Sequence, residues 1–145
     1  MAPRGTRDTE PAVSQENLEI VRALLRAYDR GDYEAALEGL DPEIEWHAPP
    51  GVTIGQEVYR GRMEVDKGFA EWQRPWDSYR FELEEMLDHG DHVVVCGMQV
   101  ARGRGSGVEV RLPTYHVVTL RDGEITRHRS LHDRAEALEA AGLSE

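Results

Sequence analysis

The sequence predicts an α+β domain in which helices gather on one face of a curved antiparallel sheet. Two observations carry this. The N-terminal half reads as amphipathic helices of 3.6-residue period around a single strand. The C-terminal half reads as alternating strands joined by short Gly-containing turns and closed by a small helix. No internal repeat or linker divides the chain, so one domain is expected.

The elements follow in order. Residues 1–14 are rich in Pro, Gly, Thr and charge, with little to bury, and read as a disordered leader; the domain is expected over residues 15–143. After Ser14, Leu18, Val21, Leu24, Leu25 and Tyr28 recur at helical spacing, with Ser14 and Asn17 offering capping chemistry. Gly31 ends that helix, Asp32 caps a second, "YEAALEGL", and Pro42 stops it. "EIEWHAPPG" alternates Ile44, Trp46 and Ala48 against Glu43, Glu45 and His47, which fits a strand entering a Pro-Gly loop. "RMEVDKGFAEWQRPW" places Val65, Phe69, Trp72 and Trp76 on one helical stripe. "SYRFELEEML", "HVVVCGMQVA", "VEVRLPTYHVVTL" and "EITRHRSLH" read as strands, after which Asp133 caps a final helix closed by Gly142.

Composition narrows the function. With 39% hydrophobic and 31% charged residues, the chain can build an ordinary soluble core. No apolar run reaches the roughly eighteen residues of a membrane span, and the N-terminus lacks the apolar core of a secretory signal, so a cytoplasmic location is expected. A net charge of -11 argues against nucleic acid, whose phosphates need a cationic face. The single cysteine, Cys96, cannot form an internal disulfide and reads as a small buried hydrophobe. The partner expected is a hydrophobic small molecule or another protein.

Several motifs in this order, "GDYEAAL", "EWHAPPG", "YRGR", "LRDGEI" and "DRAEALEAAGL", resemble the SnoaL-like branch of the nuclear transport factor 2-like superfamily. The resemblance covers roughly residues 15 to 143. It implies a cone-shaped fold whose curved sheet wraps the long helix around an apolar pocket. That scaffold hosts ketosteroid isomerases, polyketide cyclases, epoxide hydrolases and proteins without chemistry, so fold alone does not give function.

Matching "TYHVVTLRDGEI" to the isomerases lays His116 where their oxyanion-hole aspartate stands, and carries His128, Ser130 and His132 onto the pocket side of the last strand. Arg127, Arg129 and Leu131 would face outward. The isomerase base falls on Ala48, with His47 beside it, and the isomerase tyrosine falls near Leu24, one turn before Tyr28. Isomerization with those roles is therefore not expected. Nor does the strand of His116 carry the Arg-x-Asp step of limonene epoxide hydrolases.

The resemblance implies a cofactor-free acid–base enzyme of the cyclase or isomerase kind acting on a hydrophobic carbonyl compound, with epoxide hydrolysis a lesser alternative, and His116 and His132 are the expected catalytic pair, since imidazole titrates near neutrality. Tyr28, Trp46, Phe69, Trp72, Trp76, His128 and Ser130 are the expected substrate contacts. No metal is expected: on a strand His128 and His132 stand about 13 Å apart at roughly 3.3 Å per residue, too far to share one ion. "GRGSG" lies between strands and reads as a hairpin tip rather than a phosphate cradle. The alternative reading is a non-catalytic ligand-binding or dimerisation module. The resemblance also implies a homodimer, with Tyr115, Val117 and Arg129 at the interface.

Overall fold

The structure, a computed structural model, describes residues 15–49 and 55–143 in full, and of residues 2–14 the backbone alone. The expected leader over residues 1–14 lies outside the fully described residues. The first helix, α1 (Ala2–Asp29), does not begin at Ser14, so Asn17 sits within it rather than at its cap.

α1 ends as the sequence dictates. Gly31 adopts φ +76°, the amide of Asp32 reaches back to the Ala27 carbonyl at 2.9 Å, and that of Gly31 to Tyr28 at 3.1 Å. This paired closure needs a left-handed residue, which glycine supplies cheaply. Asp32 then caps α2 (Tyr33–Glu38) by accepting from the Ala35 amide.

Six strands form one sheet: β1 (Leu40–His47), β2 (Val58–Arg60), β3 (Trp76–His89), β4 (His92–Gly103), β5 (Glu109–Arg121) and β6 (Glu124–Leu131), in the order β2-β1-β6-β5-β4-β3. β2 is too short to show an alternation in the sequence. β3 to β6 form the expected antiparallel meander; the β5–β6 turn places Asp122 at φ 51° and Gly123 at φ +80°, a geometry that twists with the strands. β1 joins β6 in parallel, setting Trp46 beside His128. The register shifts between Leu40 and Glu45, around Pro42, which has no amide hydrogen to give a ladder. Pro42 therefore irregularises a strand rather than stopping a helix.

The third helix, α3 (Gly61–Gln73), is shorter than expected. Pro75 cannot continue the helical hydrogen bonds, and Trp76 becomes the first residue of β3. Trp76 thus leaves the helical stripe, although its ring still meets Trp72 at 6.2 Å.

The sheet buries both faces. Val21, Leu24 and Ala27 of α1 and Val65 and Phe69 of α3 pack with Val93, Val95 and Val118 on the inner face. Val94, Cys96, Val117 and Leu131 point the other way, against Ala137 of α4 (Arg134–Ala140) and Ala141 at its C-cap. α4 thus departs from the expected grouping of helices on one face. Val117 is covered by this helix and is not free to form the dimer contact expected of it. Asp133 caps α4 as the sequence indicates, accepting from the Ala135 amide at 2.8 Å.

Gly97 is required by a close approach: an added Cβ would run into the Glu82 backbone carbonyl of the neighbouring strand and meet the Phe81 ring at 2.5 Å. Gly97→Ala should overpack this contact and lower stability by about 1–3 kcal/mol, read from urea denaturation. An unchanged midpoint would show that β3 and β4 can part enough to relieve both the Glu82 carbonyl and the Phe81 ring.

Candidate functional site

The inner face of the sheet, α1 and α3 line a pocket with about 90 Å³ of space that opens to solvent at one rim. That is well above the ~10–15 Å³ that one water needs. Its walls are aromatic. Tyr28 comes from α1, Phe69 and Trp72 from α3, Trp46 from β1, Tyr59 from β2, and Tyr79 and Phe81 from β3. The polar groups are few: Gln99 on β4, His116 on β5, His128 and Ser130 on β6, and Asp29 on α1. A mostly apolar cavity with a few converging polar groups is the usual form of a small-molecule site.

Strand register assembles the polar end. His116 pairs with Ser130 across β5 and β6, and its Nδ1 lies 3.1 Å from Ser130 Oγ. His128 is flanked on its other side by Trp46 of β1, and the rings stack with centroids 3.7 Å apart and planes 6° from parallel. The His128 ring is 4.8 Å from that of His116. Trp46 in turn takes an edge contact from Phe69 at 5.1 Å. His116 is 7% exposed and His128 3%, yet among the described residues the His128 ring has no hydrogen-bond partner, and its Nδ1 is buried. An unpaired buried nitrogen carries a desolvation cost, which makes the position notable.

Burial governs the charge of both rings. Desolvation first, and His132 second, bring His116 down to about 4. Desolvation first, then His116 and His47, hold His128 well below the ordinary imidazole value. Both are therefore neutral at pH 7. At the far side, Tyr28 Oη accepts from Gln73 Nε2 at 2.9 Å, and burial raises its phenol well above the ordinary range. Tyr79 is raised as well, chiefly by burial, against a hydrogen bond with Trp72. Asp29 is at the exposed rim, and its carboxylate accepts from the Phe81 amide at 2.9 Å.

The expected residues divide clearly. Tyr28, Trp46, Phe69, Trp72, His116, His128 and Ser130 all line the cavity; Trp76 and His132 do not. His132 lies one residue beyond β6, in a bend, with its side chain exposed. The strand alternation that should have turned it inward ends at Leu131. The expected His116–His132 pair is thus replaced in space by His116–His128. Ala48 and Leu24 line the cavity, so apolar groups stand where the isomerases' base and tyrosine were mapped. His47 points elsewhere, 3.1 Å from Glu45. Tyr79, Phe81 and Gln99 were missed. Alternation in "SYRF" and "VCGMQV" could have found them, since residues two apart share a face. Among the described residues, no group of three or more His, Cys, Asp or Glu side chains is placed to hold a metal ion. Among them, too, no helix is long and apolar enough to cross a membrane.

Residues 21–128 match the family model of the SnoaL-like domain. No curated protein matches the chain. Among solved structures, TerC co-crystallized with polyporic acid is 26% identical, covering 88% of this chain and 98% of its own, with a TM-score of 0.74. An NTF2-like protein from Burkholderia thailandensis E264 is 27% identical over 87% of this chain and 96% of its own, TM-score 0.73. A SnoaL-like polyketide cyclase, so named as a tentative assignment, from Jannaschia sp. CCS1 shares the fold at 19% identity, covering 91% and 95% of the two chains, TM-score 0.72.

The buried imidazoles give a pH signature. Their folded pKa values lie below the unfolded value of about 6.5, so their neutral burial is compatible with folding above that pH and penalised as pH falls from 6.5 towards 4. At about 1.4 kcal/mol per pH unit, His116 alone should cost roughly 2 kcal/mol between pH 6.5 and 5. Denaturation midpoints across that window should fall, and His116→Gln should flatten the slope. A flat wild-type profile would mean that His116 is not held neutral.

Proposed function

The chain belongs to the SnoaL-like domain family, and from that premise we propose that its cavity takes a planar, hydrophobic carbonyl compound and moves a proton on it without a cofactor. The supporting observation is the pair of buried imidazoles, 4.8 Å apart, facing an otherwise aromatic cavity. TerC, 26% identical to this chain, was co-crystallized with polyporic acid, so a similar protein takes a small organic molecule.

In this reading His116 and His128 divide the work. A carbon acid beside a carbonyl needs a base for its proton and a donor for the oxygen that becomes an enolate. One neutral imidazole takes the α-proton on its free nitrogen, and the carbon–hydrogen electron pair moves into the enolate. The N–H of the other imidazole donates to the enolate oxygen. Imidazolium and enolate form together, so the net charge of the dry cavity does not change. The enolate also offsets the desolvation that keeps the base neutral in the empty protein. Ser130 holds the orientation of His116 through Nδ1. The reading includes a cytoplasmic homodimer, for which Tyr115 and Arg129, half-buried on the outer face, remain available.

A second reading, a protein that holds the same compound without turning it over, has one observation in its favour. Burial takes His116 to about 4, and a general base works best with a pKa near the working pH.

Exchange of the α-protons of 1-tetralone in deuterated buffer separates the two readings. The protein should accelerate exchange, and His116→Gln and His128→Gln should each reduce it by roughly 100-fold or more, the scale of general acid–base catalysis. Binding of 1-tetralone without accelerated exchange would establish the non-catalytic reading instead.

A further inference from the structure

Gln99 has no role in the reaction above, yet its environment is unusual. It is 9% exposed, its side chain makes no hydrogen bond among the described residues, and it lines the cavity. Its amide atoms are not among the sealed, partnerless ones, so the amide opens on the cavity. A buried primary amide has a carbonyl and two N–H donors to satisfy. Leaving them unpaired in an aromatic chamber costs about 1–3 kcal/mol unless something else meets them.

The sheet fixes where this amide stands relative to the imidazoles. His116 pairs with Val95, and Gln99 is four residues further along the same strand. At about 3.3 Å per residue, the two backbones are roughly 13 Å apart along the strand. Phe81 occupies the interval. It pairs with Gln99 across β3 and β4, lies against Gly97, and its ring centroid is 5.0 Å from that of His116. The cavity floor therefore reads polar, apolar, polar: His116 and Ser130 at one end, the Phe81 ring in the middle, the Gln99 amide at the other.

We propose that the site recognises a two-ended ligand: a flat apolar body lying over Phe81, with one oxygen at the His116–Ser130 end and a second, hydroxyl or carbonyl, oxygen at Gln99. This rests on the pocket reading above and names its substrate class more narrowly. An amide suits either kind of oxygen, donating to a carbonyl or accepting from a hydroxyl. A compound with an oxygen at one end only would leave the Gln99 amide unpaired in an apolar wall, and is discriminated against for that reason.

Calorimetric titration with 2-naphthol and 2,6-dihydroxynaphthalene tests this. Both are flat enol mimics; only the second carries an oxygen at each end. The wild-type protein should bind the diol about tenfold more tightly, the value of one net hydrogen bond. Gln99→Met should remove that preference, weakening the diol and strengthening 2-naphthol, which no longer leaves an amide unpaired and whose continued binding reports an intact pocket; Gln99→Leu serves if Met crowds Phe81. Equal wild-type affinity for the two compounds, or a preference that survives loss of the amide, overturns the two-ended ligand alone. If wild-type protein binds neither compound, the pocket reading beneath it falls too.

Discussion

The stack of Trp46 on His128, across the one parallel junction of the sheet, is the interaction on which the site depends. β6 is held by β5 on one side and β1 on the other, so His128 is fixed by two registers at once. One register brings the indole face to it; the other brings His116 of β5 alongside, opposite Ser130 of β6 itself. The same junction ties the helical half of the chain to the meander and shuts one wall of the cavity. Seating an imidazole flat against an indole also removes it from water. The cost falls on its charged form, which is why the pair stays neutral and the cavity carries no ionised group at its polar end.

This arrangement gives the cavity a specific chemical character. A flat guest meets aromatic faces almost everywhere and polar atoms at only a few points. The phenols at the other wall are kept protonated by the same burial, and Tyr28 already has a partner in Gln73. The only carboxylate among the described lining residues, Asp29, is at the exposed rim and occupied with the Phe81 amide. What remains free to meet a ligand inside is therefore uncharged.

Much of this was legible in the sequence where local rules govern. Gly31, Asp32, Asp133 and Gly142 marked their helix ends because capping is short-range chemistry. Period-two alternation turned His116, His128 and Ser130 inward correctly. The failures came where alternation stops or where distant strands meet. His132 was counted as strand although β6 ends at Leu131, and Trp76 as helix although Pro75 had already broken it. No local pattern announces that β1 will run parallel to β6, so the stack that buries His128 was invisible. α4 on the outer face escaped for the same reason: Val94 and Val95 look alike in a buried strand, and only packing tells which face each serves.

The central claim is that His116 and His128 are neutral, buried and the groups that meet the ligand. Nitrogen-15 chemical shifts of the histidine side chains test it most directly, recorded from pH 7.5 to 5 with and without 2-naphthol. The account predicts that both rings stay neutral to pH 5 in the free protein and shift on ligand addition, while exposed His132 does not respond to the ligand. Ordinary titration near 6.5 by His116 and His128, or a ligand response confined to His132, would contradict it.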